Sequence, residues 1–236
     1  MKFSKKLLCF GASLVAVLGL CVKGNGTKVS AMRNQSSHTP KVIMVGSSRA
    51  GKTCAFNRII GKKVGEEAVT ISVEFQSLKK EGNTLFLVSP SGLERFRSIA
   101  TSWLSRGDVA ILMFDISNDT YRPFDRKINE ANEWCSCIGG LNRPIKTFYW
   151  FNQIDKENYV SNFDSIKDQL IYGDDIKIGE NSFFVSAMTG EGIDEAMNAV
   201  WKYVNDELII EDNKNEEAVI DSIEDNKFSE KTCLLI

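Results

Sequence analysis

This sequence predicts an α/β fold, a mostly parallel six-stranded sheet flanked by helices, and three observations carry that prediction. From Pro40 to Val204 short apolar runs alternate with amphipathic segments, the order expected of strands and crossover helices. One run, Val109-Ala110-Ile111-Leu112-Met113-Phe114, is apolar throughout, as a central strand buried on both faces must be. Another, Lys41–Val45, passes through a glycine-bounded loop straight into a helical stretch beginning at Lys52.

Each element has its own signal. Lys41–Val45 is the first strand and Lys52–Ile60 the first helix. Thr70–Phe75 alternates and reads as a half-exposed strand. A turn at Glu81-Gly82-Asn83 returns the chain as Thr84–Val88, making a hairpin. Ile145–Phe151 and Ser182–Val185 complete the six strands. Helices are expected near Leu93–Leu104, Pro123–Cys137, Phe163–Tyr172 and Ile193–Val204. In the last of these Ile193, Met197, Val200, Trp201 and Val204 share one face. No internal repeat is present.

Composition narrows the function. The chain has 236 residues, 43% hydrophobic and 25% charged, which provides material for a sizeable core. A net charge of −2 gives no overall reason to expect nucleic acid as a partner. His38 is the only histidine, which argues against a Ser-His-Asp triad and His-based metal sites. The cysteines form no C-x-x-C pair, and Cys54, Cys135 and Cys137 read as reduced, helix-borne structural residues.

The most informative stretch is Gly46-Ser47-Ser48-Arg49-Ala50-Gly51-Lys52-Thr53, with Cys54 following. Its G-x-x-x-x-G-K-[ST] spacing, between a strand and a helix, is that of a phosphate-binding loop. The two glycines let the backbone curl so that N–H groups converge on one anion. The helix begun at Lys52 adds the positive end of its dipole. Lys52 would reach the β/γ-phosphates, and the Thr53 hydroxyl would take a place on Mg²⁺.

The flanks differ from this central region. In residues 1–31, Lys2, Lys5 and Lys6 precede a 15-residue apolar run, Leu7–Cys21. These are the proportions of a secretory signal peptide and are short for a membrane span. A cleaved signal, an uncleaved anchor and an unusual extension are the alternatives. Residues 32–39 read as a polar linker. Residues 205–236 are an acidic tail, expected to be disordered, whose last four residues Cys233-Leu234-Leu235-Ile236 fit C-a-a-X, with Cys233 as the lipid attachment point.

Taken together, residues 40–204 resemble a Ras-superfamily small GTPase, closest to the Rab branch, with the P-loop NTPase small G domain as the implied fold. Gly46–Thr53 matches the phosphate loop. Thr70, in Val69-Thr70-Ile71-Ser72-Val73-Glu74-Phe75, occupies the place of the first-switch threonine that contacts Mg²⁺. Gly92 sits where the second-switch glycine donates its N–H to the γ-phosphate. Glu94-Arg95-Phe96-Arg97-Ser98-Ile99 and Arg106-Gly107 are Rab-like. Asn152-Gln153-Ile154-Asp155 resembles the guanine-reading N-K-x-D motif, and Ser186-Ala187-Met188 resembles S-A-K. By this resemblance Asp155 accepts from the guanine N1–H and N2–H₂ edge, and against adenine would be left buried and unpaired. Asn152 would brace the loop and the base, and the Ala187 N–H would meet the guanine carbonyl.

The departures bear on turnover. Ser89 stands where the family has the aspartate that holds a Mg²⁺-bound water, leaving a weak contact of neutral charge to the metal's water shell. Leu93 replaces the glutamine that orients the attacking water, so hydrolysis should be slow. Gln153 and Met188 replace lysines near the base. Arg49 stands where a small residue is common; it would add phosphate charge, act as a finger in cis, or face solvent.

The resemblance implies GTP/GDP and Mg²⁺ as ligands, and effector and regulator proteins docking on residues 65–75 and 89–106. The leading expectation is a membrane-attached, Rab-like GTP-binding switch with weak intrinsic hydrolysis, on the cytosolic face, acting in membrane traffic or signalling. Its membrane contacts would be the Cys233 lipid and residues 7–21. The alternative is a non-cycling pseudo-GTPase serving as a protein-binding module. A generic ATP-using phosphate-loop enzyme is a third reading, opposed by Asp155. The two termini point in different directions, since prenylation is cytosolic and a secretory signal leads out of the cytosol. An intracellular bacterium exporting a mimic of host Rab proteins would reconcile them.

Overall fold

A computed structural model describes residues 38–65, 69–118 and 122–208. The elements run in the order β1 (Lys41–Val45), α1 (Lys52–Ile59), β2 (Glu74–Lys80), β3 (Asn83–Ser89), α2 (Arg97–Leu104), β4 (Val109–Asp115), α3 (Phe124–Gly139), β5 (Lys146–Asn152), α4 (Phe163–Lys167), β6 (Ser182–Val185) and α5 (Ile193–Tyr203). The six strands form one sheet in the order β2-β3-β1-β4-β5-β6. Every pairing is parallel except β2 with β3. The expected mostly parallel, six-stranded α/β architecture is therefore the observed one.

Both faces of the sheet are covered, and residue alternation decides which side chain goes where. Val42 and Met44 of β1 pack with Ala55 and Phe56 of α1 and with Ala196 and Val200 of α5. Ile43 and Val45 turn the other way, onto Ala100 and Leu104 of α2 and Ile128 and Ala131 of α3. All seven residues of β4 are buried, and fully burying each Leu, Ile or Val side chain is worth about 1.5–3 kcal/mol relative to exposure. Below the carboxyl end of β5, Phe151 stacks edge-on with Phe114 and Phe163 at ring-centroid distances of 6.1 and 5.8 Å.

The β2–β3 hairpin turns on Glu81 and Gly82, both at positive φ (52° and 83°), the geometry that matches the twist of paired strands. Three expectations need correction. The strand placed at Thr70–Phe75 begins only at Glu74, because residues 69–73 run as a loop, of which Val69 and Thr70 line the cleft described below. The helix expected from Leu93 opens as a 3₁₀ turn over Glu94–Phe96 and becomes α-helical at Arg97. The helix expected over Phe163–Tyr172 ends at Lys167, after which i→i+3 bonds from Gln169 N and Leu170 N wind the chain more tightly. Cys54, Cys135 and Cys137 lie on helices and form no disulfide.

Among the described residues no helix is long and apolar enough to cross a membrane. The N-terminal segment 1–31, most of the linker, and the tail from residue 209, Cys233 included, lie outside the described residues.

Because β1, β3, β4, β5 and β6 all run the same way, their carboxyl ends meet at one edge of the sheet. In an open parallel sheet, ligands bind in the crevice outside that edge. The segments that follow those ends are Gly46–Thr53, Pro90–Leu93, Ile116–Asn118, Gln153–Asp155 and Ser186–Met188.

Candidate functional site

The loop after β1 is shaped by two glycines. Gly46 has φ 144° and Gly51 φ 92°. A Cβ on Gly46 would lie 2.2 Å from the Met113 carbonyl oxygen, and one on Gly51 2.1 Å from Asn152 Nδ2. Sterics and dihedral angle together therefore require glycine at both positions. Gly51 caps α1 without a side-chain hydrogen bond, and α1 has no acidic residue in its first turn. That helix end thus keeps its positive dipole for an anion.

Lys52 is 7% exposed, and its Nζ donates to the Gly46 and Ser47 carbonyls at 2.9 and 2.8 Å. Burial, then the nearby Arg122 charge, lower its pKa to about 7, while Glu74 acts in the opposite sense. Gly92 closes over this amine: a Cβ there would meet Lys52 Nζ at 2.2 Å and the Gly46 carbonyl oxygen at 2.6 Å. The loop after β3 can approach the phosphate loop this closely only because residue 92 has no side chain.

The segment before β2 is tied to the same place. The Thr53 and Thr70 hydroxyls lie 2.7 Å apart, and Ser91 Oγ donates to the Thr70 carbonyl at 2.6 Å. A hard divalent cation takes oxygen ligands, and two hydroxyls meeting beside a phosphate-binding loop are donors of that kind. Among the described residues no group of three His, Cys, Asp or Glu forms a metal cage, so a cation here would need phosphate oxygens as well. Ser89 is 2% exposed at the end of β3, opposite Glu74 of β2.

At the far end Asn152 is a hinge between loops. Its Nδ2 donates to the Ala50 carbonyl at 2.8 Å and its Oδ1 accepts from the Ala187 N–H at 2.9 Å. The Ala187 N–H, expected to meet a base carbonyl, is thus engaged with Asn152 in this arrangement. Asp155 Oδ1 accepts from Ser186 Oγ at 2.6 Å, and Ser186 Oγ accepts from the Thr189 N–H at 3.0 Å. Asp155 is exposed rather than buried, so any selection against adenine would require the base itself to cover the carboxylate. Gln153, at φ 76°, donates from Nε2 to the Arg49 carbonyl at 3.2 Å.

Together these groups line a cleft of about 880 Å³ whose walls include Ser48, Arg49, Gly51, Lys52, Thr53, Cys54, Thr70, Gly92, Asn152, Gln153, Asp155, Ala187 and Met188. Ser47 and Leu93 instead line an adjoining cavity of about 430 Å³ with Arg97, Arg122 and Glu130. Ala50 and Ser186 are buried behind the cleft and act through their hydrogen bonds. The volume and the split into a phosphate-loop end and an Asp155 end suit a nucleotide.

Sequence reasoning missed Arg122, which donates from Nη1 to the Ser48 carbonyl at 2.8 Å and pairs with Glu130. It also missed Glu74, whose charge reaches Lys52. Arg122 belongs to no local motif, whereas Glu74 lies in the stretch around Thr70 but was given no role there.

Comparisons with known proteins agree with this geometry. Residues 41–155 match the model of the Roc (Ras of Complex) domain of DAP kinase. The chain is 37% identical over 79 residues to Ras-related protein Rab-7B of Dictyostelium discoideum, covering 34% of this chain and 40% of that protein. It is 24% identical over 198 residues to GTPase Der of Campylobacter hominis, covering 79% of this chain and 39% of that protein. With Ras-related protein Rab-18-B of Danio rerio it is 29% identical over 126 residues, 51% of this chain and 59% of that protein. The chain thus spans between 39% and 59% of the length of these relatives.

Proposed function

Because this chain belongs to the Ras superfamily of small GTPases and is Rab-like, we propose that it is a guanine-nucleotide switch whose GTP state is long-lived. The observation that carries the second half is the position of Leu93. It follows Gly92, which sits against Lys52, so its side chain stands beside the γ-phosphate end of the cleft, in the cavity lined by Arg49 and Arg122. An aliphatic side chain there has no atom with which to orient an attacking water.

The binding chemistry follows from the chain's own groups. Gly46–Thr53 wraps the β- and γ-phosphates with the α1 dipole behind them, and Lys52 exchanges its carbonyl partners for phosphate oxygens. Thr53 and Thr70 would hold Mg²⁺, which when bound neutralises phosphate charge. Asp155, steadied by Ser186, accepts from the guanine edge. Gly92 donates its N–H to the γ-phosphate, and Ser91 ties that event to Thr70. Loss of the γ-phosphate would release both segments, which is the switching element.

A second reading, a fixed protein-binding module that does not cycle, is favoured by Ser89 and Leu93 together. One experiment separates the two: extract and identify bound nucleotide from the purified protein, then follow single-turnover GTP hydrolysis with Mg²⁺ beside Leu93→Gln. The switch predicts bound guanine nucleotide, slow turnover, and acceleration of roughly tenfold or more in the variant, part of the large contribution that oriented water makes in this chemistry. No guanine nucleotide and no GTP affinity at millimolar Mg²⁺ would leave the module.

Attachment to membrane through a lipid on Cys233, docking of effectors on residues 65–75 and 89–106, action in membrane traffic or signalling on the cytosolic face, and export through residues 1–31 by an intracellular bacterium complete the proposal. Val69, Ile71, Phe75 and Ile99 are exposed by 48, 67, 72 and 48%, an apolar supply on those segments for a partner. One lipid gives only marginal anchoring and the acidic tail adds none, so a second contact is required. Mass analysis of the mature protein from host cells should find a prenyl group on Cys233. An unmodified Cys233 removes the lipid from this account.

A further inference from the structure

We infer that Glu74 supplies the carboxylate that Ser89 lacks, acting across the β2–β3 ladder on the water shell of a Mg²⁺ held by Thr53 and Thr70. The inference rests on the guanine-nucleotide reading and deepens it by assigning a metal-positioning residue on a different strand from the one expected.

The register makes the exchange geometrically simple. Glu74 is the direct antiparallel partner of Ser89, and side chains of directly opposed residues stand about 5 Å apart on one face. Alternation fixes which face. Leu78 of β2 and Leu85 and Leu87 of β3 pack in the core that contains Ala55 and Phe56 of α1. Glu74 and Ser89 are an even number of residues from these, so both point to the α1 side, where Lys52 and Thr53 begin that helix.

The electrostatic observations agree. Glu74 is half-buried although β2 is an edge strand, and its Oε2 is shielded from solvent. Opposite it, Ser89 contributes a neutral hydroxyl of 2% exposure. A carboxylate in that position orders cation-bound water far better than a hydroxyl does. Glutamate's extra methylene, relative to aspartate, extends its reach from the neighbouring strand.

The test uses the full chain loaded with a fluorescent GDP analogue. Its release into excess unlabelled GDP is followed across a range of Mg²⁺ concentrations and in EDTA. Removing a carboxylate that orders a metal's surroundings typically weakens metal binding by about ten- to a hundredfold. Glu74→Gln should therefore raise the Mg²⁺ concentration for half-maximal slowing of release by about tenfold or more, while the rate in EDTA changes far less than the rate at saturating Mg²⁺. Adding Ser89→Asp to Glu74→Gln should bring the half-point back to within about threefold of the original. Ser89→Asp alone, with Glu74 in place, should move it by less than about threefold.

An unchanged half-point in Glu74→Gln, equal acceleration with and without Mg²⁺, or a failed rescue overturns the assignment. So does a large tightening in Ser89→Asp alone, which remains informative if Glu74→Gln does not fold. A protein that retains no GDP analogue at any Mg²⁺ concentration overturns the nucleotide reading itself, and this assignment with it.

Discussion

Lys52 shows how one residue can serve binding while opposing the empty fold. The phosphate loop requires an ammonium at this position, yet the fold buries it among carbonyls and beside Arg122. With its pKa lowered from 10.5 to about 7, the amine is mostly neutral above pH 7 when no nucleotide is bound. Phosphate oxygens restore the charge, so binding above pH 7 must take up a proton. Calorimetry in buffers of different ionisation enthalpy, with EDTA present so that no metal shares the site, should show uptake approaching about one proton per nucleotide near pH 8.5, and affinity falling by up to about tenfold per pH unit above 7. Uptake near zero would mean that Lys52 is already charged in the empty site. The same shift has a sign for stability. Between about pH 7 and 10.5 the unfolded chain binds more protons than the folded one, so the nucleotide-free protein gains stability as pH rises through that window. The penalty is fully present below pH 7.

At the scale of elements, a buried ion pair joins β4 to α3. Lys127, in the first turn of α3, places Nζ 2.9 Å from Asp115 Oδ2 at the end of β4, and both side chains are at most 8% exposed. The ammonium also donates to Ser117 O at 2.6 Å and Ser117 Oγ at 2.8 Å, so the β4–α3 connection is anchored at both ends. Removing one partner strands the other charge in the interior, which costs about 3–5 kcal/mol. Lys127→Met should lower Tm by roughly 10 °C, and Asp115→Asn in that background should recover part of the loss. Equal Tm values for the unsubstituted and Lys127→Met proteins would show that the pair is solvated in solution. This contact also shows what the sequence conceals. The strands, the phosphate loop and the Asn152–Asp155 and Ser186–Met188 stretches were legible because each depends on residues next to one another in the chain. Lys127 and Arg122 were not, since Arg122 meets Ser48 across 74 positions and no local pattern encodes that meeting. The early start predicted for the strand at Thr70–Phe75 has a different cause. Ile71 and Phe75 produce the alternation, but both are exposed, so the pattern records no buried face, and only the residues from Glu74 onward pair in the sheet. In Phe163–Tyr172 the apolar spacing of Phe163, Ile166 and Leu170 persists after the α-helix has ended, because a 3₁₀ winding keeps those side chains inward.

For the molecule as a whole, the question is whether the cleft and the exposed apolar segments behave as one unit. Three contacts couple them: Thr53 to Thr70, Ser91 to the Thr70 carbonyl, and Gly92 against Lys52 and the phosphate loop. None of these belongs to the sheet ladder, so they can open without unpairing a strand and at far lower cost than global unfolding. The γ-phosphate, touching both Lys52 and Gly92, would hold all three closed. GDP, lacking it, would hold only the phosphate loop. Hydrogen exchange should therefore show residues 69–73 and 90–96 more protected with a non-hydrolysable GTP analogue than with GDP, by about tenfold or more if the γ-phosphate contributes even 1.4 kcal/mol of differential binding. Protection in β4 and α5 should stay the same, because those elements are held by the core alone. Equal protection of 69–73 and 90–96 in the two nucleotide states would make the apolar surface around Ile71 and Phe75 a permanent one. The chain would then be a fixed docking module that happens to hold a nucleotide. A difference confined to those two segments makes the same surface conditional on the γ-phosphate. With Leu93 unable to help remove that phosphate, the lifetime of the docking-competent state would then be set by whatever protein binds there.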